Sequence, residues 1–197
     1  MQPLAQQILA YAERLPEGEP LAAKGLLHLG SRAAIDQALA RLAGRGHLAR
    51  AGRGIYLRPI ASRFGNRSPS VEQAIAAFAA QRGEVVVPNG AAAANALGLT
   101  RQVPVRSVYL TSGRSRTLTF GNQVVELRHA PGWQLVLPGR SAGDAIRALA
   151  WLGPQHADES LRVLKRSLPP EAFGELAAVR SRLPTWLASS VAKTIHG

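Results

Sequence analysis

The chain has no cysteine among its 197 residues. Disulfides and cysteine-ligated zinc or iron–sulfur sites are therefore excluded, and the composition fits a reducing cytoplasm. No apolar run approaches the roughly 18 residues of a spanning helix. Met1, Gln2 and Pro3 do not open the basic-then-apolar pattern of an export leader, so the expectation is a protein off the membrane. Catalytic patterns are missing too. The five histidines (28, 47, 129, 156 and 196) form no His-x-x-x-His or His-x-Glu pair, so a metal site lacks its ligand spacing. Asp158 and Glu159 are adjacent on a predicted helix and point apart, unsuited to shared acid–base work. There is no Gly-x-Ser-x-Gly elbow, and the pair Gly52-Arg53-Gly54 lacks the lysine of a phosphate-binding loop. The expectation is no enzyme, no cofactor and no metal.

Lysine and acid are also scarce. Three lysines (24, 165 and 193) stand against 21 arginines, and 24 basic residues against 12 acidic ones leave a net charge of +12. Arginine suits bidentate contacts to phosphate and guanine, although a GC-rich genome biases codons the same way. No repeat, low-complexity tract or heptad stripe is present. With 46% apolar and 18% charged residues the chain has ordinary globular composition, long enough for two small domains.

The most informative stretch is 31–59, SRAAIDQALARLAGRGHLARAGRGIYLRP. Ile35, Ala38, Leu39 and Leu42 fall at i, i+3, i+4 and i+7, one apolar stripe, with Arg32, Asp36, Gln37 and Arg41 on the opposite face. Ser31 is the predicted N-cap, and Gly44 or Gly46 supplies the left-handed residue that ends the helix. Residues 47–50 and 55–58 then flank a glycine-bracketed turn, which predicts a hairpin. Helix followed by wing is the order of a winged helix-turn-helix. Between positions 32 and 67 eight arginines face one acid, Asp36, so this stretch holds a surplus of seven positive charges. Nucleic acid is the natural anionic partner. The expected DNA-binding residues are Lys24, Ser31, Arg32, Gln37, Arg41, Arg50, Arg53 and Arg58. The helix residues would read base edges and the wing would rest on phosphates, with Arg53 either on phosphate or in a minor groove. The bland alternative is a solvated helix face.

Residues 29–59, together with PNGAAAANALGLTRQVPVRSVYLTSGRSRTLTFGNQVVELRHA at 88–130, resemble the AbiEi-type antitoxin and transcriptional-regulator family. The resemblance runs from about residue 2 to about residue 153. It implies a winged helix that binds operator double-stranded DNA and represses its own operon. It also implies a C-terminal domain that counters a nucleotidyltransferase-like toxin, as in type IV toxin–antitoxin systems.

Along the rest of the chain, helices are predicted at 3–15, 20–29, 70–81, 90–97, 142–152, 158–167, 170–182 and 185–195. Strands are predicted at 84–88, 105–111, 115–120 and 123–129. Ser141 is read as the cap of the helix from 142, whose inward residues are Ile146, Leu149 and Ala150. The resulting fold class is α+β. A winged helix at 1–60 and a linker at 61–68 precede a mixed α/β domain at 69–197 with a small antiparallel sheet and C-terminal helices. The linker doubles as a candidate DNA arm through Arg63 and Arg67, though a solvated linker is favoured. A second basic group, Arg101, Arg106, Arg114 and Arg116, reads as a solvated loop in preference to a surface for an acidic toxin or for an RNA or DNA backbone. An inverted-repeat operator would need two copies on DNA without requiring a stable dimer. Two rival readings fit the same residues: a ligand-sensing regulator with a small-molecule pocket at 84–130, and an enzyme or accessory subunit that the winged helix delivers to nucleic acid.

Overall fold

A computed structural model describes residues 2–52, 54–62, 65–67, 70–120 and 123–196, with residues 61, 62, 65–67 and 120 described as backbone. The chain is α+β and divides into two compact units, residues 1–84 with 117–125 and residues 85–116 with 126–197.

In the first unit, helix α1 (Leu4–Glu13) buries Ile8 and Ala12. Strand β1 (Leu21–Ala22) and a single 3-10 turn (Ala23–Leu26) follow, then helix α2 (Arg32–Gly44) and strands β2 (Ala49–Gly52) and β3 (Ile55–Leu57). The three strands form an antiparallel sheet in the order β1-β3-β2, with Leu21 opposite Tyr56 and Arg50 opposite the same tyrosine from the other side. The register slips between Arg50 and Gly52, a bulge that bends the β2–β3 ribbon. Ile8, Leu21, Leu26, Ile35, Leu39, Leu42, Leu48 and Tyr56 close one core between helices and sheet. Tyr56 thus packs the ribbon onto the helices.

The helix expected at 20–29 does not form. Leu21 and Ala22 commit their backbones to β3, and burial of Leu21 and Ala23 follows the two-residue period of a strand. Gly25 then weakens what helical tendency remains, and only one 3-10 turn winds. The stretch 61–68, expected as a linker, is not plain linker either. Strands β4 (Ile60–Ser62) and β5 (Gly65–Arg67) pair antiparallel there, because the small polar residues that suit a linker equally suit a short ribbon.

Helix α3 (Val71–Arg82) has both ends specified locally. Ser70 Oγ accepts the Gln73 N–H at 3.2 Å, Gln73 Oε1 accepts the Ser70 N–H at 3.3 Å, and Gly83 closes the helix at φ +65°. This helix groups with the first unit, whereas the sequence assigned it to the second domain. Gly18, at φ +82°, lies so close to it that a Cβ would come within 2.9 Å of Gln73 Cβ, and Gln81 Nε2 donates to the Pro20 carbonyl at 3.4 Å.

Strand β6 (Val86–Pro88) and helix α4 (Gly90–Ala96) follow, with Asn89 Oδ1 accepting the Ala92 N–H at 2.8 Å. Strands β7 (Ser107–Thr111), β8 (Arg116–Phe120) and β9 (Gln123–His129) complete a sheet of order β6-β7-β9-β8. Helices α5 (Ser141–Leu152), α6 (Pro154–Ser167), α7 (Pro170–Val179) and α8 (Thr185–His196) bury Ile146, Leu149, Leu161, Leu164, Leu176, Leu187 and Val191 together. Helix α4 lies hard against α5: a Cβ on Gly90 would sit 2.5 Å from both the Arg147 carbonyl and Trp151 Cβ. Ser141 is the first residue of α5 rather than its cap, and Arg140 at the cap position gives no side-chain bond. Inside α5, Ile146 and Leu149 are buried as expected and Arg147 is buried with them, while Ala150, expected inward, is half-buried. Arg147 Nη2 donates to Asp144 Oδ1 at 2.7 Å, and Nη1 donates to the carbonyls of Gln134 and Val136 at 3.2 and 3.3 Å.

Candidate nucleic-acid interface

Helix α2 is the element that turns sequence into surface. Ser31 Oγ accepts the Ala34 N–H at 3.3 Å and starts it; past its end Gly46 adopts φ +77°, and the His47 N–H returns to the Leu42 carbonyl at 3.0 Å. Ile35, Ala38, Leu39 and Leu42 are buried as the stripe predicts. On the other side Ala33, Gln37, Ala40, Arg41 and Gly44 are exposed.

At 100° per residue the polar positions are not one cluster. Arg32 and Arg41 are nine residues apart and therefore lie about 180° from one another around the axis. Arg41 and the exposed Arg45 flank one side, and Arg32 with Asp36 flanks the other. Between them runs a low ridge of Ala33, Ala40 and Gly44 in which Gln37 is the long polar side chain. The sequence reading grouped Arg32, Gln37 and Arg41 as one face. It passed over Arg45 as a site residue and also missed the alanine ridge, although the i, i+4, i+7, i+11 spacing of 33, 37, 40 and 44 was available to find it.

The Arg32 guanidinium donates through Nε to Asp36 Oδ2 at 2.9 Å, with the two side chains 61% and 47% exposed. Lys24 is exposed on the 3-10 turn, Arg50 is exposed on β2, and Arg58 is exposed one residue beyond β3. Arg53 and Arg63 lie outside the described residues, and of Arg67 the backbone alone is described. The structure thus brings Arg32, Gln37 and Arg41 onto one helix with Ser31 as its cap, and places Lys24 on the turn before it, Arg50 on β2 and Arg58 just past β3.

In the second basic group, Arg101, Arg106 and Arg114 are exposed and Arg116 is half-buried. Nearby, Arg128 is taken up by Glu126 through both Nε and Nη2, at 2.9 and 3.0 Å. This pair holds the Glu126 carboxyl below its usual range, chiefly through the hydrogen bond from Arg128, and raises Arg128 by the same bond. Among the described residues no three of His, Asp or Glu gather as a metal-ligand set, and no helix is long and apolar enough to cross a membrane.

The family described as DUF6088, a family of unknown function, matches residues 7–167. The chain belongs to the DUF6088 family. That match spans the α2 region, the four-stranded sheet and α5 and α6 of this DUF6088 protein. No curated protein matches the chain, and no solved structure matches it.

Proposed function

We propose that this DUF6088 protein is a cytoplasmic, sequence-specific DNA-binding repressor in which residues 2–60 act as a winged helix-turn-helix and α2 enters the major groove. The observation that carries this reading is the sheet order β1-β3-β2 around α2. A short strand ahead of the helix pairs with the returning strand of the ribbon behind it, and that ties helix and ribbon to one core. The exposed side of α2 supports the same reading. Its alanines and glycine leave room for close approach to base edges, Gln37 suits adenine, and Arg41 suits guanine or phosphate. As a wing, the β2–β3 ribbon would present Arg50 and Arg58 to the sugar-phosphate chain, with Lys24 on the turn before α2. Autoregulation of its own operon through an inverted repeat, and action as antitoxin to a nucleotidyltransferase-like toxin, rest on the AbiEi-type resemblance.

The test is titration of the intact protein with a duplex from its own upstream region. Sequence-specific binding is expected, with the logarithm of affinity falling linearly against the logarithm of salt. Arg58→Ala should weaken binding to all duplexes alike and reduce the slope by about 0.9. Affinity independent of both sequence and salt would refute the proposal.

A further inference from the structure

Arg32 is the first residue of α2, and no acid stands in that first turn. A cation there opposes the positive end of the helix dipole, and an arginine four residues before its acid is the weaker order for a helix ion pair. Helix stability therefore does not explain the pair Arg32–Asp36. In α3, α5 and α7 the first turn holds the acid that stability favours: Glu72, Asp144 and Glu171. Asp36 is also the one acid between positions 32 and 67, where any negative charge works against a polyanion.

The hydrogen bonding distinguishes this pair from the exposed pair Arg128–Glu126. Arg128 gives Nε and Nη2 to Glu126, so its fork is consumed. Arg32 gives Asp36 its Nε and nothing else, which leaves Nη1 and Nη2 as a flat pair of donors at the end of the side chain. A carboxylate on Nε fixes the plane of the guanidinium, and the two remaining nitrogens match the O6 and N7 acceptors of guanine. A phosphate contact needs no such orientation. In helix-turn-helix proteins the N-terminal residues of the second helix contact base edges, and Arg32 occupies that end of α2.

Resting on the DNA-binding reading above, we infer that Asp36 is a positioning residue that holds the Arg32 guanidinium through Nε, so that Arg32 reads one guanine of the operator.

The experiment is selection of bound duplexes from a library with a randomised centre, run in parallel with the parent protein, Asp36→Asn and Arg32→Lys. Relative affinities are then measured for the four bases at each selected position, at two salt concentrations. For the parent, one position should prefer guanine by roughly 5- to 150-fold, the range of a good bidentate pair. Arg32→Lys should erase that preference while keeping the salt slope, because charge remains and the fork is lost. Asp36→Asn should reduce it to about twofold and, by freeing Arg32 for phosphate, steepen the salt slope by about one. Melting temperatures of both variants should match the parent, which separates a lost preference from a lost fold. If Asp36→Asn keeps the full guanine preference and tightens binding to every duplex alike, Asp36 is merely a competitor of phosphate and the inference is overturned, while DNA binding stands. If the parent selects no sequence at all, the DNA-binding reading has failed and the inference with it.

Discussion

Arg147 is the fully buried charge among the described residues, and its environment sets an asymmetry that mutagenesis can read. Its partner Asp144 is 33% exposed while the guanidinium is sealed. Asp144→Ala leaves a buried cation on two carbonyls and should cost about 3 kcal/mol. Arg147→Met removes the charge, lets Asp144 hydrate and leaves the two carbonyls short of a donor, for about 1–2 kcal/mol. Urea unfolding of the two variants checks the order, and an equal cost would mean that Asp144 is not what chiefly compensates the buried guanidinium. Gly143 is a second sensitive position. A Cβ there would come 2.1 Å from the Leu137 carbonyl oxygen, which is backbone and cannot swing aside. Gly143→Ala should therefore lose about 1–3 kcal/mol in the same assay. Arg32 makes the opposite case. Opposed by the helix dipole and holding one exposed ion pair, it can be replaced by alanine with a change within about 0.5 kcal/mol. On the proposed function, its effect would show in binding instead.

At the scale of elements, capping explains both the successes and the failures of sequence reasoning. The start of α2 was legible in Ser31, and the capping box of Ser70 and Gln73 at α3 is just as local, because these caps are made by residues three apart. Ser31→Ala should cost about 1 kcal/mol, measurable as a lower melting temperature. What escaped was whatever depends on a distant partner. Strand β1 has two residues and no period of its own; it exists because Tyr56 and Ile55 bond it from across the domain. The pairing of β4 with β5 was hidden by residues whose composition suits linker and ribbon equally. Arg147 is a charged residue by type, and two of its acceptors, the carbonyls of Gln134 and Val136, lie outside α5 and leave no mark in its periodicity. In the candidate site the residue types were legible, but their grouping was not. Arg32 and Arg41 share a polar half of the helix in a linear reading, yet stand on opposite flanks once the helix is built.

For the whole molecule, the net charge of +12 predicts attraction to any polyanion, so affinity alone says little. The claim that matters is geometric: the exposed ridge of α2 contacts bases. The absence of cysteine makes this directly measurable, because a single cysteine introduced anywhere becomes a unique attachment point. Ala40→Cys, in the middle of the ridge, and Gln155→Cys, on the exposed start of α6, each carry a short photo-crosslinker into a complex with the upstream duplex. Crosslinks from position 40 to bases at fixed positions, and none from position 155, are the predicted result. Position 40 silent, or both positions labelling the duplex at random, would contradict the account.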